Sequence, residues 1–495
     1  MIANNGLKTL IIRYSGELTT KGKGTRKVLQ KALIRNLREA LSENGISESP
    51  VAFRERAFVH QVQDQAAEIA SRVFGVQSAS LAIPFEAKDL KTTVEEAKKV
   101  FAPLVASKTF AVRARLVGGT SGYEWSGTKL ERELGTALLP FASRVNLSNP
   151  EFTALVETHR SQLFAVTHTH KGPAGLPFSG EGRALALVSG GYDSAVAAWK
   201  IMRRGVHVDF IFFNLGGVEH AKETLKVSKL LANQWGYGVR PRFFWLEFDQ
   251  IVSEIKLHCN ARYWQIVLKR LMFRASSIIT ENANYDALIT GEAIGQVSSQ
   301  TLRNLTVISE ATDLTILRPL IGSNKSDIIQ LSKHIGTEEL SAKVQEYCAL
   351  NRKNPSTSAP SEVIASEERL ISSDLLHEIV GNAHILDIKS TQIESNRNNS
   401  SAIKVVPNGA IVIDVRPKQM YANWHLENAL SLEWNQAISG YKSFSKANCY
   451  LICCEYGLLS GHLVEMMNKV GLEAYHLEGG ISSHRKELKG FKKSQ

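Results

Sequence analysis

Residues 184–205, ALALVSGGYDSAVAAWKIMRRG, constrain this chain more than any other stretch. Five apolar residues read as a buried strand, Ser189-Gly190-Gly191 as a tight turn, and the apolar spacing that follows as a helix stopping at Gly205. A strand that runs directly into a helix must pack that helix back onto its sheet. Repeating the unit gives a parallel, doubly wound α/β layer. The repeats are present: apolar runs at 206–216, 239–248 and 286–291 alternate with helical patterns at 220–236, 261–283 and 325–336.

Two other regions flank this core. Residues 1–60 read as strand–helix–strand, and residues 64–165 alternate helical and strand patterns and close with a hairpin-like pair, FTALVETHRSQLFAVTH. KGPAGLPFSGEG (171–182) reads as a linker or domain boundary and the Asn/Ser-rich 389–403 as a second linker. The tail, 405–495, is a small α/β domain by the same alternation. The expected domains are 1–62, 63–170, 178–388 and 404–495.

The turn itself carries chemistry. Glycines let backbone N–H groups approach an anion, the helix N-terminus adds partial positive charge, and the hydroxyls of Ser189 and Ser194 can donate to phosphate oxygens. The lysine of the G-x-x-x-x-G-K-[ST] loop is missing, so this is a different phosphate loop. Asp193 suits a magnesium ion or a role in orienting a phosphate.

Charge separates the regions. Of the formal +11, residues 1–180 supply +8 (24 Lys and Arg against 16 Asp and Glu), while 181–380 balance at 22 against 22. A basic first third attracts phosphate backbones. Its densest run holds Lys21, Lys23, Arg26, Lys27, Lys31, Arg35 and Arg38. No run of about 18 uncharged apolar residues occurs, so no membrane partner is expected. No secretory leader is recognisable, and a cytoplasmic location is expected. Five cysteines, Cys259, Cys348, Cys449, Cys453 and Cys454, form neither a disulfide framework nor a C-x-x-C pair. No iron–sulfur cluster is therefore expected. Cys454 follows the apolar YLIC strand and opens C-E-Y-G-L-L-S before a helix, a placement that favours thiolate or persulfide; Cys453 falls on the strand itself. The carboxylate of Glu455, next to the sulfur, is expected to raise its pKa.

Ser189-Gly190-Gly191-Tyr192-Asp193-Ser194 resembles the pyrophosphate loop of the PP-loop ATPases. Together with FFNLGG, VLKRLMFRAS, TGEAIGQVSSQTLRNL, LRPLIGSNKSDII, QEYCAL, RYSGELTTKGKGTR and 109–177, it makes the whole chain similar to the tRNA 4-thiouridine synthetases of the ThiI type. The resemblance implies a multidomain α/β protein. A ferredoxin-like α+β domain and a THUMP domain come first. A doubly wound parallel-sheet PP-loop ATPase (adenine nucleotide alpha-hydrolase-like) domain follows, and a rhodanese-like α/β domain ends the chain.

The resemblance also implies the activity: ATP-dependent adenylation of uridine at tRNA position 8, then replacement of O4 by sulfur from a cysteine persulfide. Its site residues fall on Cys454 (persulfide), Cys348 (disulfide partner), Asp193 and Lys325. ATP falls to Ser189, Gly190, Gly191, Asp193, Ser194, Phe213, Asn214 and Gly291, with Mg²⁺ at Asp193. Lys21, Lys23, Arg26, Arg113, Arg115 and Lys171 are the expected tRNA contacts. Implied partners are tRNA, a cysteine desulfurase as persulfide donor and an external reductant; a homodimer and a second role in thiazole (thiamin) biosynthesis stay open. Competing readings are another PP-loop tRNA-modifying enzyme, such as a 2-thiouridine synthetase, and a tRNA-binding module with an inactive nucleotide site.

Overall fold

The computed structural model describes residues 8–117, 125–159, 162–215, 217–281, 283–344, 354–392, 401–455 and 457–481. It resolves into two compact units. One comprises Met1–Glu181 with Met202–Val206 and Gln234–Val239; the other takes the remainder.

The first unit is built on one eight-stranded sheet. Its order is Val51–Ala52, Arg56–Val62, Lys8–Tyr14, Val76–Phe85, Gln162–Lys171, Phe152–His159, Thr109–Val117 and Arg144–Val145. Lys8–Tyr14 alternates its side chains: Leu10, Ile12 and Tyr14 join the core under the helices Lys23–Glu43 and Gln65–Ala70, while Ile11 turns to the other face with Phe58, Ala82, Phe164 and Val166. Each fully buried Leu or Ile contributes about 1.5–3 kcal/mol. The second half packs Leu90–Val105 and Gly127–Leu138 on Ala154, Val156, Leu163 and Ala165. Asp89 caps the first of these helices in a reciprocal capping box with Thr92.

The expected boundary at 62/63 needs correction. The helix Gln65–Ala70 and strand Val76–Phe85 complete the first half, because Val76–Phe85 pairs antiparallel with Lys8–Tyr14 along Thr9↔Ala82 to Arg13↔Ser78. On its other side the same strand pairs with Gln162–Lys171, from Ser78↔Lys171 to Phe85↔Leu163. The stretch 171–182, read as a linker or domain boundary, packs onto the first unit, and the boundary falls within it, after Glu181. Gly172 and Ala174 donate to the carbonyls of Gln77 and Val76, Ser15 Oγ donates to Gly175 O at 2.6 Å, and Leu176 and Phe178 are buried.

Arg56 and Glu157 are 3.1 Å apart although three strands lie between theirs. At about 4.8 Å per interval a flat sheet would separate those strands by roughly 19 Å, so the sheet curls toward this face. Glu157, buried, also meets Arg13 at 2.7 Å and Arg115 at 3.5 Å.

The second unit holds two sheets. The six-stranded sheet runs Thr315–Leu317, Ala287–Ile289, Arg183–Leu187, His207–Asn214, Arg242–Glu247, His384–Asp387. Five strands are parallel, as the strand–helix alternation predicts; the edge strand His384–Asp387 is antiparallel to Arg242–Glu247. That edge strand returns from the helix Ser373–Gly381, where no parallel crossover is required. The core on one face of this sheet includes Leu185, Ile211, Phe244, Leu246, Val267, Phe273 and Leu288. The third sheet is parallel throughout, in the order Ala402–Ile403, Glu473–Leu477, Cys449–Cys453, Ile411–Asp414, Leu430–Ser431. Residues 402–403, expected in the second linker, already form its edge. No helix among the described residues is long and apolar enough to cross a membrane.

Candidate active site

The strand Arg183–Leu187 delivers the turn to the carboxyl edge of the six-stranded sheet, where α/β layers of this kind hold their ligands. Gly190 has φ +77°, and an added Cβ there would lie 2.9 Å from Thr224 Oγ1 and 3.0 Å from Val344. Only glycine fits both the backbone and the space. Ser194 Oγ accepts from the Ser189 N–H (3.3 Å) and donates to Gly191 O (3.2 Å), bracing the loop from inside. The helix Tyr192–Met202 begins at this turn and carries Asp193 in its first turn. His220 donates through Nε2 to Ser189 O at 3.1 Å, and burial lowers its pKa, keeping the ring neutral.

Asp193 and Lys325, 132 positions apart, meet: Lys325 Nζ lies 3.0 and 2.9 Å from the two carboxylate oxygens. Gln296 donates to Asp193 Oδ2 at 3.2 Å. Gly291 lies against the same helix start, since a Cβ there would fall 2.7 Å from the Asp193 carbonyl carbon and 2.8 Å from Ser194 N. The lysine, carboxylate and both glycines read from the sequence thus converge on one turn. Phe213 and Asn214 divide. The Phe213 ring packs in the core, 4.7 Å from Phe248, and Asn214 Nδ2 donates to Glu247 at 2.7 Å.

Among the described residues no group of three or more His, Cys, Asp or Glu could hold a metal ion. The single oxygen-donor carboxylate of Asp193 is the right donor type for magnesium, held mainly by the phosphates of a nucleotide.

Residue-type reasoning missed the neighbours of this turn. Glu292, buried, accepts from Lys269 (2.8 Å), Arg318 Nε (2.9 Å) and Thr290 Oγ1 (3.1 Å). Gln296, Lys269 and Arg318 all lie in segments already singled out, but a sequence does not say which cations share a carboxylate.

In the third sheet, Cys454 follows the middle strand Cys449–Cys453 and is closed off from solvent. Its sulfur lies 3.3 Å from Ser460 Oγ and accepts from the Ser460 N–H at 3.4 Å, at the start of the helix Leu458–Lys469. Gly457 caps that helix with φ +86°. Cys453 is buried with Val412, Leu451 and Leu477, and burial pushes its thiol well up; burial likewise raises Cys259, to about 11. Glu455, next to Cys454 in sequence, pairs with a cation. Its carboxylate receives Arg416 Nη1 at 2.8 Å, while the same guanidinium grips Asp414 at 2.7 Å. Nearby, burial brings His462 down to about 4, and Asp249, Lys469, His220 and Lys256 act on its charge. Cys348 lies outside the described residues.

Of the expected RNA contacts, Lys21, Lys23 and Lys171 are exposed. Arg26 Nη1 reaches the Lys21 carbonyl at 3.4 Å, tying the cluster together. Arg113 donates to the carbonyls of Val112 (3.0 Å) and Leu147 (2.8 Å). Arg115 stays 61% exposed beside Glu157.

Comparison with known proteins agrees with this layout. The family model "Thiamine biosynthesis protein (ThiI)" matches residues 179–372, the ThiI ferredoxin-like domain 9–80 and a rhodanese-like domain 396–487. A tRNA sulfurtransferase of Pyrobaculum aerophilum is 34% identical over 95% of this chain and 96% of its own length. One of Desulfurococcus amylolyticus is 32% identical over 97% and 99%. A crystal structure of a 4-thiouridine synthetase in complex with RNA and bound ATP superposes with a TM-score of 0.66 at 28% identity, covering 77% of this chain and 99% of that one. The turn, the sulfur-bearing loop and these full-length likenesses lead to one assignment: the chain belongs to the ThiI family of tRNA sulfurtransferases and is a sulfur-transferring enzyme.

Proposed function

We propose that the enzyme makes 4-thiouridine at tRNA position 8 by adenylating the uridine and then exchanging oxygen for sulfur. The observation that carries this reading is the meeting of Asp193 and Lys325 at a glycine turn that Gly291 approaches to backbone contact. Uridine O4 attacks the α-phosphorus of ATP and pyrophosphate leaves. Backbone N–H groups of Gly190 and Gly191 and the Lys325 ammonium offset the charge that develops on the phosphates. Asp193 holds Lys325 in place before the nucleotide arrives. A bound magnesium ion, with Asp193 as its protein ligand, would neutralise phosphate charge.

The adenylate makes O4 a leaving group. A cysteine desulfurase loads Cys454 with sulfur, and the terminal sulfur of the persulfide attacks C4, expelling AMP. The Cys348 thiolate then attacks the inner sulfur; the persulfide S–S bond breaks and its electron pair stays with the thiouridine. The resulting Cys348–Cys454 disulfide is opened by an external reductant. The Ser460 hydroxyl and N–H at the Cys454 sulfur support this carrier role, because such donors stabilise a negative sulfur.

The test is mass analysis of tRNA after incubation with ATP, Mg²⁺, cysteine, a desulfurase and reductant. An oxygen-to-sulfur mass gain at position 8, on C4, is expected, and it should vanish in Asp193→Ala and Cys454→Ser. Sulfur on C2 would instead assign a 2-thiouridine synthetase. No gain from folded protein that binds tRNA would assign a binding module with an inactive nucleotide site.

A further inference from the structure

The segment TGEAIGQVSSQTLRNL brings more to the ligand edge than Gly291. Past the strand Ala287–Ile289 and Gly291, residues 293–301 fold into a tight loop. Gly295 N–H donates to Gln300 O at 3.0 Å and Gln300 N–H to Val297 O at 2.9 Å. Ile294 N–H donates to Ile321 O at 3.1 Å, tying the loop to the segment that leads to Lys325 at the start of the helix Lys325–Ile335. Buried Asn304 holds it from within, donating through Nδ2 to Ser298 O (2.8 Å) and Ser356 O (2.9 Å). Gln296 of this braced loop is the residue that reaches Asp193. Within two residues of Gln296 stand Ile294 and Val297, apolar yet 50% and 45% exposed. Apolar residues scattered singly over a surface need no explanation, but two on one fixed loop beside the nucleotide turn do. Uridine O4 lies on the edge of a flat ring with apolar faces. An enzyme acting on that atom must take the base out of its stack, and the ring then lacks a surface to lie against.

We propose that Ile294 and Val297 are the surface on which the extruded uracil of the target nucleotide lies, with its O4 edge toward the turn at Gly190, Gly191 and Asp193. The inference deepens the proposed function and rests on it. The choice of occupant follows from place, size and rigidity. The loop joins the nucleotide turn through Gln296, so a ring resting on it is beside the atoms that must react. Two aliphatic side chains offer enough apolar area for a pyrimidine ring and too little for a protein partner. A loop already fixed by its own hydrogen bonds loses little freedom when the base arrives.

The test uses the full chain with tRNA and ATP. It compares wild type with Ile294→Ser, Val297→Ser, the double variant, the conservative Ile294→Val and Val297→Ile, and Leu370→Ser, which removes an equally exposed apolar residue (54%) elsewhere. It follows the adenylation rate at saturating tRNA, tRNA affinity by filter binding and ATP affinity, with a melting curve for each variant. Each single Ser variant should slow saturated adenylation about 5- to 10-fold and the double variant about 30- to 100-fold, the range set by the stacking contact of one base. Affinity for tRNA should stay within about twofold, because phosphate contacts dominate it, and so should affinity for ATP. The conservative variants, which keep an apolar surface if a Ser variant folds poorly, should stay within about threefold of the wild-type rate. Leu370→Ser should stay within about twofold. Affinity for tRNA that falls in step with the rate would make the pair a general RNA contact and overturn the proposal. Weakened ATP affinity would place the loop in the nucleotide's own pocket, and overturn it too. So would an unchanged rate in the double variant, or a rate lost only in proportion to folded protein. Wild-type enzyme that consumes no ATP with tRNA would instead overturn the adenylation reading itself.

Discussion

Asp193 and Asp209 stand at opposite edges of one sheet, and both are acids among cations. Asp209 is fully buried near the amino ends of the strands. It receives Arg183 at 2.9 Å, the Arg242 N–H at 2.8 Å, Arg242 Nε at 3.2 Å and the Tyr285 hydroxyl, with His207 at 3.4 Å. Asp193 is 20% exposed at the carboxyl edge and receives one lysine, itself 41% exposed, and one glutamine. The first acid ties together the strand starts at Arg183, His207 and Arg242 and has no opening for a ligand. The second holds a partly exposed cation beside a glycine turn. What separates them is how much remains to be satisfied: a saturated carboxylate stabilises the fold, and a lightly held one is available for chemistry.

The sharpest way to break this contrast is to remove each acid. Asp193→Ala should cut tRNA thiolation by roughly a thousandfold, measured in single turnover, with a change in unfolding free energy below about 1 kcal/mol. Equal losses in stability and rate would erase the distinction. Asp209→Ala should cost about 3–5 kcal/mol in denaturant unfolding, because it leaves Arg183 and Arg242 without their shared anion. Thiolation per folded molecule should fall less than twofold, on the order expected for a site far from the chemistry.

Acid sharpens the comparison further. Burial alone would push the Asp209 carboxyl up, but the nearby His207 ring and hydrogen bonds from the Tyr285 hydroxyl and the Arg242 N–H prevail and hold it far below the usual range. Its folded pKa is thus depressed, so its contribution is complete above the unfolded carboxylate value of about 4 and is lost as pH falls below it. Asp209→Asn should flatten that acid limb of the stability profile, read by urea unfolding at stepped pH; an unchanged slope would remove Asp209 as its source. The smallest effect belongs to Lys325→Met. An exposed pair contributes about 0–1 kcal/mol, so stability should barely move while thiolation drops at least about tenfold.

The ligand edge was largely legible. The strand–turn–helix at 184–205 came from motif and spacing, Gly291 and Lys325 from the family resemblance, and the structure brings them together. The separation of Cys454 from Cys453, which strand alternation sends into different clusters, came from spacing as well. Asp209, Glu292 and Glu157 were not legible. Each carboxylate is satisfied by residues from several strands or helices, and local pattern carries no record of which distant guanidinium bends over which acid. The 62/63 boundary failed for a related reason: strand partners are set by pairing across the sheet, and Val76–Phe85 finds one on each side. Glu455 shows the same limit, since its neighbour in sequence is the sulfur but its partner in space is Arg416.

That doubly paired strand has a consequence for how the amino-terminal region can change over time. With Val76–Phe85 hydrogen-bonded to Lys8–Tyr14 on one flank and Gln162–Lys171 on the other, the two halves have no seam that could be cut and rejoined cleanly. Exchanging either half for a foreign module would leave a raw ladder edge, so the two halves are inherited, and must turn in solution, as a single piece.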